Sequence, residues 1–191
     1  MTFFTRAAAT ALTGLAIFGF ASAAFATPER TIVPEGSLDA HAALVQAVES
    51  RGIEFVTNHE YCQEVPELMG FYSYNKRLLV VCNDNYSETN PNPQWTVNDL
   101  DTLRHEAQHM VQDCVFGVLQ DQQLHPVYHD PISLVYNVLG PEVMQSINER
   151  YRSAGASTTT VILEWEAFAV AAMNVPLEQA KDVVRYCEPL Q

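Results

Sequence analysis

The five residues His105-Glu106-Ala107-Gln108-His109 constrain this 191-residue chain more than any other feature. On an α-helix, residues four apart stand one above the other on the same face. Two imidazoles so placed can grip one metal ion, at roughly 2.0–2.1 Å from each ligating nitrogen. Glu106 stands beside that pair, where a carboxylate can hold and deprotonate a water. The pattern therefore asks for a helix here, and for a further ligand from elsewhere in the fold.

The flanking residues predict that helix. Thr96 followed by Asp99 forms a capping-box pattern, with Asp in the place more often taken by Glu. Asp99 and Asp101 suit the positive end of the helix dipole, and Gly117 is a suitable stop. Leu100, Leu103, Ala107, Met110, Val111 and Cys114 form one apolar stripe at helical spacing. His105 and His109 fall on the other side, near Gln112 and Asp113. The stripe anchors the helix, and the histidines are expected to face a cleft.

Two histidines do not complete a catalytic zinc site, which needs a third protein ligand and an open position. The run from Thr160 to Met173 is apolar almost all round yet holds Glu164 and Glu166. Acids inside a buried helix are costly unless paired or metal-bound. Glu164 shares a face with Ala167 and Ala171, small residues that permit close approach of another helix. Glu166 projects about 160° away, given the 3.6-residue turn. Glu164 is therefore the preferred third ligand and Glu166 the alternative. The acid that does not ligate is expected to reach solvent or to orient a histidine. Asp113 is read as a hydrogen-bonding or cap-region acid. His125 and His129 repeat the spacing, but Pro126 makes them loop residues. His41 and His59 read as incidental surface positions.

Elsewhere, a helix is expected from Ser37 to about Ser50 and a strand over 53–57. A hairpin or bent strand pair is expected over 70–74 and 78–82, and a surface loop over 83–94. Residues 118–140 carry no clear pattern. Helices follow from Pro141 to about Tyr151, from Thr158 or Thr159 to about Met173, and from Pro176 to near Cys187. Strands first and helices later indicate an α+β fold: a small, mostly antiparallel or mixed sheet packed on the active helix, then a helical half.

Residues 1–26 read as a signal peptide. Arg6, the apolar run 7–21 and Ala24-Phe25-Ala26 fit a cleavable leader cut after Ala26, with Ala21-Ser22-Ala23 a competing cut. Removing 26 of the 191 residues leaves 165, enough for a single domain with one core. The leader carries one Arg and no acid, so the net charge moves from −13 to −14. That balance argues against nucleic acid and against anionic membranes as partners. The expected location is secreted or periplasmic, without membrane insertion after cleavage. Four cysteines in an exported chain favour disulfides. Of three pairings, Cys62 with Cys82 and Cys114 with Cys187 is preferred, closing one local loop and tying the active helix to the C-terminal end.

The strand 78–82, the His105-Glu106-x-x-His109 helix and the later Glu164-x-Glu166-Ala167 helix together resemble the zincin metallopeptidases, and within them the glutamate-liganded gluzincins. The likeness spans roughly residues 70–172. The acid–aromatic–acid–alanine order at 164–167 is similar to the third-ligand helix of several such proteases, where the first acid binds zinc. Some carry an Asp four residues after that Glu, where this chain has Phe168. The resemblance implies Zn²⁺ held by His105, His109 and Glu164, with Glu106 as general base in the hydrolysis of a peptide or protein substrate. Tyr128, His129, Tyr136 and Tyr151 are the candidate donors to the oxyanion. One rival is a non-enzymatic secreted binding module on the same fold. Another is an α+β interaction protein in which the motif is accidental.

Overall fold

The computed structural model describes residues 36–115 and 123–188. The expected signal peptide, Gly117 and part of the patternless stretch after it lie outside these residues. The described chain is α+β. Helix α1 (Gly36–Glu49) leads to strand β1 (Glu54–Thr57), a short helix α2 (Glu60–Glu64) and the strands β2 (Gly70–Ser73) and β3 (Leu78–Val81). Four helices follow: α3 (Val97–Cys114), α4 (Pro131–Ser153), α5 (Thr158–Met173) and α6 (Pro176–Tyr186).

The sheet is mixed and has the order β1-β3-β2. Strand β3 pairs antiparallel with β2, joining Gly70 to Val81 and Ser73 to Leu78, and parallel with β1. The apolar run at 78–81 thus lies in the centre, as its β-branched composition requires. One side of the sheet packs on α1, α3 and α6 through Leu44, Val48, Tyr72, Leu79, Leu103, Met110 and Val183. The other side holds Leu68, Phe71 and Val80 under Tyr61 and Cys62. A third cluster, built on Ile147, Tyr151 and Val161, joins α4 to α5.

Every residue of the apolar stripe predicted for α3 is buried. The capping box is also formed: the Asp99 amide donates to Thr96 Oγ1 at 3.1 Å, and the Thr96 amide donates to Asp99 Oδ2 at 2.8 Å. Asp99 additionally accepts from the Asp84 amide at 2.8 Å, so the loop before α3 is pinned to its first turn. Burial holds the Asp99 carboxyl above its usual range, against the pull of those donors.

Both preferred disulfides are present, Cys62–Cys82 and Cys114–Cys187. Cys62 sits on α2, an element absent from the sequence reading, rather than on a strand. Helix α4 begins ten residues before the expected Pro141. Asp130 caps it by accepting from the Ser133 amide at 3.0 Å. Gly140 breaks it into two segments with φ 80°, because the proline after it excludes the helical conformation. His41 is not a surface residue. It is 4 % exposed and meets the Arg104 guanidinium at 2.8 Å. His59 is half-buried and caps α2 by accepting from the Tyr61 amide at 3.3 Å.

Candidate metal centre

Helix α5 crosses α3 and brings Glu164 onto the histidine pair. His105 Nε2 and His109 Nε2 lie 3.1 Å apart. Glu164 Oε2 is 3.2 Å from the first and Oε1 is 3.5 Å from the second. A tetrahedral ion with ligand bonds near 2.0–2.2 Å separates its ligand atoms by about 3.3–3.5 Å. One ligand atom from each of the three residues lies within 4.8 Å of the others, close enough for all three to reach one ion. Glu164 is fully buried and pairs with both imidazoles, and two imidazoles with a carboxylate are a donor set suited to zinc. The residues fit a metal ion.

The electrostatics follow from this crowding. Burial alone would push His109 down, but the Glu164 carboxylate beside it wins and raises it to about 9. Burial likewise pushes Glu164 up, and the two histidines overcome it and hold Glu164 at about 2. His105 is lowered, chiefly by burial. Glu106 is raised to about 8 by burial, with Glu164 adding to the effect and His109 opposing it. The Tyr72 backbone amide also pulls Glu106 down, although no donor among the described residues meets either Glu106 oxygen in good geometry.

Strand β2 sits hard against this part of α3. A methyl group at Gly70 would lie 2.6 Å from Val80 O, 2.6 Å from Thr102 Cγ2 and 3.3 Å from Glu106 Cγ. Only glycine permits that approach.

The expectation of an open cleft needs correction. His105 and His109 are 1 % exposed, while Glu106 and Glu164 are fully buried. Helix α5 covers the histidine face, because its small residues Ala167 and Ala171 bring the two helices together. A surface cavity of about 400 Å³ lies beside the Cys62–Cys82 disulfide, and none of the four site residues lines it.

Glu166 does not reach solvent. It is fully buried, and it accepts from Gln108 Nε2 at 3.2 Å, Gln112 Nε2 at 3.1 Å, the Val127 amide at 3.0 Å and the Tyr128 amide at 3.0 Å. Although the two acids project about 160° apart, both long side chains fold back onto α3. Glu164 takes the 105/109 flank and Glu166 the 108/112 flank. Asp113 belongs to another contact: the Tyr72 hydroxyl donates to its Oδ2 at 2.8 Å. His125 is tied by its backbone amide to Gln112 O at 2.9 Å, and His129 is exposed.

Of the four oxyanion candidates, Tyr151 alone is buried beside the carboxylates. It is 3 % exposed, and burial with Glu164 and Glu106 nearby raises its hydroxyl well above the usual phenol range. Tyr136 is 57 % exposed. The Tyr128 backbone serves Glu166 instead. Phe168, in the place where some similar proteases carry Asp, packs its ring 4.5 Å from the His105 ring in an edge contact. The sequence reading assigned no role to Gln108 and Gln112, whose shared partner Glu166 is more than fifty residues away. Their only local signal is a pair of amides, four apart, on the flank of a metal-motif helix.

No protein-family model, curated protein or solved structure matches the chain.

Proposed function

We propose that this protein is an exported zinc-dependent metallopeptidase on a zincin-like fold. The observation that carries the reading is the cluster of His105, His109 and Glu164, with the buried Glu106 carboxylate beside it. Bound zinc supplies Lewis acidity, which lowers the pKa of water and polarises a carbonyl. His105, His109 and Glu164 would hold the ion through their two imidazole nitrogens and one carboxylate. Glu106 accepts the proton of the attacking water and passes it to the leaving amine. Tyr151 stays un-ionised and donates to the carbonyl oxygen as charge develops there.

Two disulfides support export, and no helix among the described residues is long and apolar enough to cross a membrane. A peptide or protein is the substrate class that the chemistry suits.

A second reading has an observation of its own. Complete burial of the four site residues favours a non-enzymatic binding module in which zinc is structural. Cleavage of a peptide library by the mature chain decides between the two. The peptidase reading expects products that a chelator abolishes and that Glu106→Gln loses while keeping its zinc. Stoichiometric zinc with no cleavage of any library peptide would overturn it in favour of the module.

A further inference from the structure

A histidine ligates through a nitrogen that carries no proton, and a neutral imidazole has two tautomers. Only the form protonated on Nδ1 leaves Nε2 bare. In His109 it is Nε2 that faces Glu164 and His105, while Nδ1 lies 2.8 Å from Gln112 Oε1.

The orientation of the Gln112 amide follows from its other neighbours. Its Nε2 donates to Leu163 O at 3.0 Å and to Glu166 Oε1 at 3.1 Å. Turned over, the amide would set its oxygen against two acceptors. Oε1 therefore faces the imidazole, and Nδ1 must donate to it. Glu166 is immobilised by Gln108 and by the Val127 and Tyr128 amides. Both glutamines are buried, at 1 % exposure for Gln108 and 0 % for Gln112, so water does not compete for these bonds. His105 has no equivalent support among the described residues, where its Nδ1 meets no hydrogen-bond partner.

We propose that Gln112, itself held by Glu166, is a positioning residue that locks His109 in the metal-ligating tautomer. The proposal rests on the metal reading above. It assigns to the second acid of α5 a task carried out at one remove from the metal.

The test compares Gln112→Leu with Gln108→Leu in the full mature chain. Both remove a buried amide that donates to Glu166, but only Gln112 touches the histidine. Zinc affinity is measured by competition with a chromophoric chelator. The expected result is a loss of roughly 10–100-fold for Gln112→Leu and a near wild-type value for Gln108→Leu. Equal losses in the two variants, or none for Gln112→Leu, would overturn the proposal and leave the metal centre standing. Ring ¹⁵N shifts of zinc-loaded wild type give a reading that needs no variant. His109 is expected to carry its proton on Nδ1 and zinc on Nε2, and zinc on Nδ1 would overturn the lock. Wild type that takes up no zinc would remove the metal reading itself.

Discussion

Replacing Glu166 with alanine takes away the acceptor shared by four N–H donors at 3.0–3.2 Å. Gln108 and Gln112 are too deeply buried for water to replace it, and each stranded donor costs about 1–3 kcal/mol. The Val127 and Tyr128 amides belong to half-buried residues, so solvent recovers much of their loss. The sum is about 3–5 kcal/mol. For a domain of this size that lowers Tm by roughly 6–20 °C. The assay is urea and thermal unfolding with excess chelator, so that metal binding does not contribute to the measured stability. In parallel, zinc uptake separates the two acids: Glu166→Ala keeps one ion at saturating zinc, whereas Glu164→Ala loses a direct ligand and does not. A Glu166→Ala protein as stable as wild type would refute the hydrogen-bond reasoning. Loss of zinc by Glu166→Ala with retention by Glu164→Ala would exchange the two roles.

Gly70→Ala forces β2 away from Val80 O and Thr102, at a cost of about 1–3 kcal/mol; an unfolding midpoint equal to wild type would contradict that contact. Opening Cys114–Cys187, with a sequence separation of 73, costs about 4 kcal/mol by chain entropy, against about 3 kcal/mol for Cys62–Cys82, with a separation of 20. Peptide mapping that links the cysteines differently would void both figures. In chelated protein, His109 at about 9 and Glu106 at about 8 lie above their unfolded values, so the folded chain binds more protons than the unfolded one. His105, lowered by burial, opposes this below about 6.5, so stability falls mainly as pH rises from about 6.5 to 9. Glu164, held at about 2, contributes stability that is lost only as pH drops below about 4.5 toward 2. Melts across this range would show the alkaline loss in chelated protein and its relief by zinc; a chelated midpoint that climbs from about pH 6.5 to 9 would count against the charge assignments.

The parts of the fold that were legible in the sequence are those with local or periodic signals. Thr96 and Asp99 announce the start of α3, its stripe announces the buried face, and the run 78–81 announces a central strand. That Glu164 would meet His105 and His109 was legible because it shares the Ala167/Ala171 face of α5, where another helix can come close. What was not legible depended on contacts far apart in sequence. Glu166 looked like the spare acid because its donors come from α3 and from the segment at 127–128. His41 looked like a surface residue because its partner Arg104 lies sixty-three positions away. Helix α2 is five residues long, too short for periodicity to reveal. The site's burial escaped notice because an apolar stripe tells which face is inside and says nothing of what covers the other.

The proposed function depends on a metal held by His105, His109 and Glu164, and metal content measures that directly. Mature protein, stripped and then dialysed against limiting zinc, is expected to retain about one zinc per chain. His105→Ala and His109→Ala are each expected to retain none in the same dialysis. Full occupancy in either variant, or wild type that emerges without zinc, would contradict the account.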